Sequence, residues 1–157
     1  MGLSNQVKKT YLLQQEVVIR PAETYAIGTH TLFNITGGPV WVTGLFGVLT
    51  EAIASGSTAR HQINGVALDT AAVNINAAIG DVVLFPLDDT TTGIVVPAVA
   101  AASMPEPTGQ VAGGGKVLAT STPGEIDLVI AGFNGDGDIV FYVVYYRMSP
   151  NSQIVVA

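Results

Sequence analysis

The sequence predicts an all-β fold, a single-domain antiparallel β-sandwich or a jelly-roll-like barrel with a long Ala/Gly/Pro loop. The first observation is a series of short runs rich in β-branched and aromatic residues, separated by turn residues about every eight to twelve positions. The second is that strands do not alternate with helical patterns, as they would in βαβ units. The third is the length of 157 residues without an internal repeat, which fits one domain and excludes a solenoid or propeller.

The central element is the uncharged run Val40–Thr50, which follows the turn at Thr36–Pro39. At period two, the residues on one predicted face are Val40, Val42, Gly44, Phe46 and Val48. Those on the other are Trp41, Thr43, Leu45, Gly47 and Leu49. A strand that faces water on one side alternates polar and apolar residues, so a run that is apolar on both sides predicts burial on both sides. We therefore expect this domain to complete its core against copies of itself or a larger assembly.

A second strand of the same kind is predicted at Ile139–Met148, paired in a hairpin with Ile126–Phe133 through the turn Asn134–Asp138. Three of the five tyrosines lie in this strand. Tyrosine buries its ring and keeps its hydroxyl on a polar partner, which suits an interface, although a core strand with tyrosines at its rim is the equally simple alternative. The interface candidates from the two strands are Trp41, Leu45, Phe46, Phe141, Tyr142, Tyr145 and Tyr146.

The remaining elements follow from turn residues and β-branched runs. Residues 1–10 are predicted to be a flexible N-terminal arm, residues 11–157 the sandwich or barrel domain, and residues 98–115 a long surface loop. Asn64-Gly65 predicts a tight turn, and Asp69–Ile79 is compatible with a helix or a strand. The other predicted strands are Tyr11–Ile19 (with a short helix as the alternative), Tyr25–Ile35, Thr58–Asn64, Val66–Leu68, Val82–Phe85, Gly93–Val96, Lys116–Thr120 and Ile154–Val156.

The composition restricts the classes of partner. Charged residues make up 11% of the chain, against about 25% in a typical soluble domain, which indicates apolar surface covered by other protein. The net charge is −6 with six Lys and Arg residues, so a basic patch for nucleic acid is not expected. The sequence contains no run of about 18 apolar residues, so no membrane span is predicted. The absence of cysteine and of an apolar signal segment is compatible with synthesis in a host cytoplasm.

Possible chemical motifs are each better explained as structure. Asn134–Asp138 places oxygen-bearing side chains at alternate positions as calcium loops do, but lacks the rest of that pattern and suits a turn. His30 and His61 have no partner at metal-ligand spacing, and Ser55 lies in no nucleophile elbow. Asp88-Asp89 reads as a solvated loop, and Gly113–Lys116 fails the phosphate-loop pattern. We predict no catalytic, cofactor-binding or metal-binding residues, and hence no enzyme.

The segment Leu32–Thr50, with its T-G-G-P-V turn followed by alternating apolar residues, resembles segments of small structural proteins encoded by tailed bacteriophages. The strand Ile139–Arg147 with a Val-Val-Ala end is similar as well. The resemblance covers about a fifth of the chain and implies a β-rich capsid decoration, or cement, protein at the surface of the virion. Such proteins form small homo-oligomers and bind the major capsid protein.

Two functions are therefore carried forward from the sequence. The first is a bacteriophage virion protein that stabilises the head shell as a dimer or trimer, with the N-terminal arm reaching a neighbouring subunit. The alternative is a receptor- or carbohydrate-binding β-sandwich of a phage fibre or tail, in which Trp41 and the tyrosines stack on sugar. Neither function involves nucleic acid or a membrane.

Overall fold

Two antiparallel sheets packed face to face make up the part of the chain that the computed structural model describes, which is residues 15–54, 56–67, 71–85, 94–96, 116–118, 124–132 and 136–157. This architecture confirms the predicted all-β sandwich. The described residues contain strands and no helix, and therefore no helix that could cross a membrane. The predicted arm at 1–10 and loop at 98–115 lie outside the described residues.

The strands, in chain order, are β1 (Gln15–Thr24), β2 (Gly28–Thr36), β3 (Val40–Leu49), β4 (Thr58–Ile63), β5 (Val66–Ala67), β6 (Val73–Asn74), β7 (Val82–Leu84), β8 (Ile94–Val96), β9 (Lys116–Leu118), β10 (Gly124–Ala131), β11 (Asp138–Arg147) and β12 (Gln153–Val156). Sheet A has the order β1-β11-β3-β7-β8, with β9 paired to the start of β3. Sheet B has the order β12-β2-β10-β4-β5, with β6 paired to the start of β4. The two central strands predicted to be apolar on both faces, β3 and β11, are neighbours in sheet A.

The core lies between the sheets and takes side chains from one face of each sheet. From sheet A it receives Val40, Val42, Leu45, Leu49, Val83, Ile139, Phe141, Val143 and Tyr145. From sheet B it receives Leu32, Phe33, Ile35, Ala59, His61, Ile126, Leu128, Ile130 and Ile154. Burial of a side chain of this size contributes about 1.5–3 kcal/mol, so this interior is the main stabilising feature of the sandwich.

A β-bulge in β3 makes the predicted two-face division of this strand wrong beyond its first half. Val144 of β11 pairs with Gly44, whereas the next residue, Tyr145, pairs with Val42, so Thr43 is the extra residue. The Thr43 hydroxyl donates to the carbonyl of Val144 at 3.3 Å. Because side chains alternate with period two, one extra residue moves all later ones to the opposite face. The outer face of β3 is consequently Trp41, Gly44, Phe46 and Val48, and the inner face Val40, Val42, Leu45, Gly47 and Leu49.

The predicted hairpin of Ile126–Phe133 with Ile139–Met148 is also wrong, because β10 lies in sheet B and β11 in sheet A. The connection instead crosses between the sheets and is held against the segment that follows β3. The Asp136 carboxylate accepts the backbone N–H of Ala54 at 3.0 Å, and the Asp138 carbonyl accepts that of Thr50 at 2.9 Å. Gly137 lies so close to the carbonyl of Ala52 that a Cβ would fall 2.4 Å from its oxygen. Asp136, Gly137 and Asp138, which suit a hairpin turn, therefore belong to a connection between the sheets.

The other strand predictions are mostly confirmed. Asn64 and Gly65 have φ values of 49° and 78° and join β4 to β5 as the predicted tight turn. Of the predicted strand Tyr11–Ile19, residues 11–14 lie outside the described residues and the strand alternative is confirmed for the rest by β1. The ambiguous segment Asp69–Ile79 contributes only the short strand Val73–Asn74 among its described residues.

Candidate functional site

The outer face of sheet A is apolar and aromatic, and we call it the aromatic face. It is formed by Val17 and Ile19 of β1, Trp41, Gly44, Phe46 and Val48 of β3, Val82 and Leu84 of β7, and Val140, Tyr142, Val144 and Tyr146 of β11. Cross-strand partners point to the same side of a sheet, which places these residues together. The members from β3, β7 and β11 are half-buried. The sandwich itself thus leaves a second apolar layer at its surface.

Two aromatic stacks form ridges on this face. Trp41 and Tyr146 lie opposite each other, with ring centroids 5.3 Å apart and an interplanar angle of 29°. Phe46 and Tyr142 are likewise opposite, with centroids 4.9 Å apart and an angle of 7°. Such pairs contribute about 0.5–1.5 kcal/mol beyond their area, so the rings are held in fixed positions. Ordered rings lose little entropy when a partner covers them.

Gly44 lies between the two ridges, opposite Val144. A Cβ built on this glycine would meet Val144 Cβ at 3.4 Å, which is an ordinary contact distance. The Val144 side chain therefore lies at the middle of the face, between the ridges.

The aromatic face continues to the edge of sheet A on β1, where Val17 and Ile19 are 55% and 52% exposed. The opposite side of β1 is tied to β11 by Glu16. Arg147 donates to both oxygens of this carboxylate, from Nε at 2.6 Å and Nη2 at 3.0 Å, and the Tyr145 hydroxyl donates at 2.5 Å. The hydrogen bond from Arg147 lowers the pKa of Glu16, although burial acts in the opposite direction. This charged cluster fixes β1 so that its apolar residues point outward.

No charged side chain lies on the described part of the aromatic face between Asp138, at the start of β11, and Arg147, at its end. The outer face of sheet B, which we call the polar face, has the opposite character. Its members are Thr29, Thr31, Asn34, Thr58, Arg60, Gln62, Glu125, Asp127, Val129, Gln153 and Val155. That composition is the usual one for an antiparallel sheet that faces water on one side.

The seven interface candidates from the sequence divide between the two faces of sheet A. Trp41, Phe46, Tyr142 and Tyr146 lie on the aromatic face, where their part in an interface stays a prediction. Leu45, Phe141 and Tyr145 are buried in the core and are not available to a partner, because the bulge and the packing of sheet B enclose their face.

Seven apolar members of the aromatic face were not among the predicted interface candidates, namely Val17, Ile19, Val48, Val82, Leu84, Val140 and Val144. The alternation in β1 groups Gln15, Val17 and Ile19 on one face and Glu16, Val18 and Arg20 on the other, and the more apolar first face is the exposed one, which is the opposite of what the pattern predicts. The position of Val17 and Ile19 beside the tyrosines depends on pairing with β11, and sequence periodicity does not define that partner.

The two histidines occupy structural positions. His61 is fully buried, with its ring centroid 3.7 Å from that of Phe85 and 5.8 Å from that of Phe141. Burial lowers the pKa of His61 to about 3, so its ring is neutral at neutral pH. His30 donates from Nε2 to the carbonyl of Ala26 at 2.8 Å and packs edge-on against Tyr25.

The other motifs considered from the sequence give no assembled site in the described part of the chain. No group of three or more His, Cys, Asp or Glu side chains there could hold a metal ion. Asp136 and Asp138 both accept hydrogen bonds from the chain, from Ala54 N and from the Thr24 hydroxyl. Asn134, Ser55, Asp88-Asp89 and Gly113–Gly115 lie outside the described residues.

No family model, curated protein or solved structure matches the chain. The aromatic face is therefore the main indication of function.

Proposed function

We propose that this protein is a non-enzymatic structural component of a bacteriophage virion, a capsid decoration protein whose aromatic face is covered by protein in the assembled particle. The observation that supports this most is the face itself, with two stacked aromatic pairs and no charged side chain across its described width. Large apolar patches on soluble proteins mark sites of association. A domain with this surface is expected to associate with protein through it.

The choice of a phage head rather than another assembly rests on the resemblance of Leu32–Thr50 and Ile139–Arg147 to small phage structural proteins. In this proposal the partners are copies of the chain and the major capsid protein, and the location is the outer surface of the capsid. The N-terminal arm at residues 1–10 contributes a contact with the shell.

The experiment is a decoration assay with purified chain and undecorated heads of the tailed phage that encodes it. We expect saturable binding that raises the temperature at which the heads disrupt. Deletion of residues 1–10 is expected to weaken binding while the circular dichroism of the sandwich stays unchanged. Heads that bind no protein would contradict the proposal.

A carbohydrate-binding domain of a fibre or tail is the second candidate, favoured by the half-buried Trp41–Tyr146 stack on the surface. Apolar faces of sugars pack on aromatic rings of this kind. Trp41 is the only tryptophan of the chain, so its emission reports binding at this position directly. Glycan-dependent emission changes in a protein that ignores phage heads would favour this second function.

A further inference from the structure

We propose that the occupant of the aromatic face is a second copy of this chain, packed sheet A against sheet A about a two-fold axis. This dimer rests on the proposed structural role and names the immediate partner within it. The axis passes near Gly44 and Val144, which lie opposite each other at the middle of the face. Contacts with the shell are then made by other parts of the dimer.

The size of the face is sufficient for such a dimer. Strands β1, β11, β3 and β7 lie side by side in sheet A; the first three have ten residues each and β7 has three. With a strand spacing of about 4.8 Å and a rise of about 3.3 Å per residue, the face measures roughly 500 Å². Two such faces bury roughly 1,000 Å² in total, which is the smallest area expected of a specific interface.

The distribution of charge favours this face over the rest of the surface for self-association. Each chain carries a net charge of −6, so two copies repel each other at long range. Contact through the aromatic face places no described charged side chains opposite each other across its middle. Contact through the polar face would bring the exposed Glu125 of one copy towards that of the other. A partner selected by charge complementarity would find no charged side chain to recognise on the described middle of the aromatic face.

The positions of the two ridges allow a symmetric contact. The Trp41–Tyr146 and Phe46–Tyr142 ridges lie on either side of Gly44. A two-fold axis in the plane of the interface, running across the strands at Gly44, places the first ridge of one copy against the second ridge of its partner, so that aromatic rings meet aromatic rings. Each contact then occurs twice, as an isologous interface requires.

The test is sedimentation velocity of the purified full chain over a concentration series, with two matched variants. Val144→Lys places a charge at the centre of the aromatic face, and Val129→Lys makes the same change at a half-buried valine on the central strand of the polar face. We expect a dimer for the wild type, at least tenfold weaker dimerisation for Val144→Lys, and unchanged dimerisation for Val129→Lys. A wild-type monomer or trimer, or equal effects of the two substitutions, would overturn the proposal.

A second pair of variants keeps the test decisive if Val144→Lys fails to fold. Val17→Asp and Val155→Asp each alter an exposed valine, one on the edge strand of the aromatic face and one on that of the polar face. Weaker dimerisation of Val17→Asp alone supports the dimer, and equal behaviour of the pair contradicts it.

Failure of the dimer can be distinguished from failure of the proposed function by the decoration assay. A monomer that decorates heads overturns the dimer and leaves the function. A dimer that ignores heads supports the dimer and contradicts the function. A monomer in which Trp41 is already shielded from acrylamide shows that the chain's own residues cover the face, which also overturns the dimer.

Discussion

The aromatic face and the polar face are the outer surfaces of two antiparallel sheets in the same small sandwich, yet they differ in almost every residue. At the centre of the polar face, Asp127 of β10 lies between Thr31 and Gln62 on the neighbouring strands. At the centre of the aromatic face, Val144 of β11 lies between Val17 and Gly44. Both sheets contribute apolar residues to one core, so the core does not require this difference. Under the proposed function, protein covers the aromatic face, whereas the charge at the centre of the polar face, Asp127, is already buried within the single chain.

The largest expected effect is that of Tyr142→Asp, which removes half of the Phe46–Tyr142 stack and places a carboxylate on the aromatic face. Burial of an unpaired charge in an interface costs several kcal/mol, so association should be abolished at micromolar concentration. Size-exclusion chromatography with light scattering measures the loss. Gln153→Asp, at an exposed position of the polar face opposite Thr36, is the control, and equal loss in both variants would remove the distinction between the faces.

The next largest effect is on the free energy of unfolding, and it differs between two glycines of β3 that lie on opposite sides of sheet A. A Cβ at Gly47 would fall 2.7 Å from Ile139 Cγ2 and 3.0 Å from Phe141 Cε1, both of them buried atoms of the core. Overpacking of this kind costs about 1–3 kcal/mol, so Gly47→Ala should lower the free energy of unfolding in guanidinium. Gly44→Ala, on the aromatic face, should change it by less than about 0.5 kcal/mol. Equal costs would show that the outer face is packed as tightly as the core.

A third prediction concerns the inner face of sheet B, where burial lowers the pKa of His61 to about 3. Between pH 6.5 and 3 the unfolded chain binds a proton that the folded chain does not, so stability falls as the pH falls through this window. His61 alone changes the free energy of unfolding by at most about 1.4 kcal/mol per pH unit. His61→Leu should flatten the dependence measured by denaturant titration at several pH values. An unchanged slope would mean that His61 is not in an apolar interior.

The smallest effect is expected at the edge of the aromatic face, where Glu16 joins β1 to β11. Glu16→Gln weakens the hydrogen bonds from Arg147 and Tyr145 and should cost about 1 kcal/mol, because the pair is partly exposed. The pKa of Glu16 is lowered in the folded chain, so this contribution is present above pH 4.5 and is lost as the pH falls through the folded pKa. The difference in unfolding free energy between wild type and variant should therefore shrink in acid. A constant difference would indicate that the carboxylate is not ion-paired.

The sequence was sufficient to predict the fold class and most strands, because β-branched runs and turn residues are local signals. It also indicated that β3 and β11 carry more apolar surface than one core can take. The division of their faces was not predictable by period two, because the bulge at Thr43 changes the parity within β3. The partner of β11 was mispredicted as β10, since Asn, Asp and Gly suit a hairpin and a crossover equally. Consequently Leu45, Phe141 and Tyr145 were assigned to an interface although they lie in the core.

The most direct measurement is acrylamide quenching of Trp41, the single tryptophan, in the associated wild type and in Tyr142→Asp at the same concentration. Trp41 lies on the aromatic face beside Tyr146 and is half-buried in the single chain. If protein covers this face, the emission of the wild type should be blue-shifted and weakly quenched, and that of the variant red-shifted and strongly quenched. Strong, equal quenching of Trp41 in both proteins would show that the aromatic face stays open to water and would contradict the account.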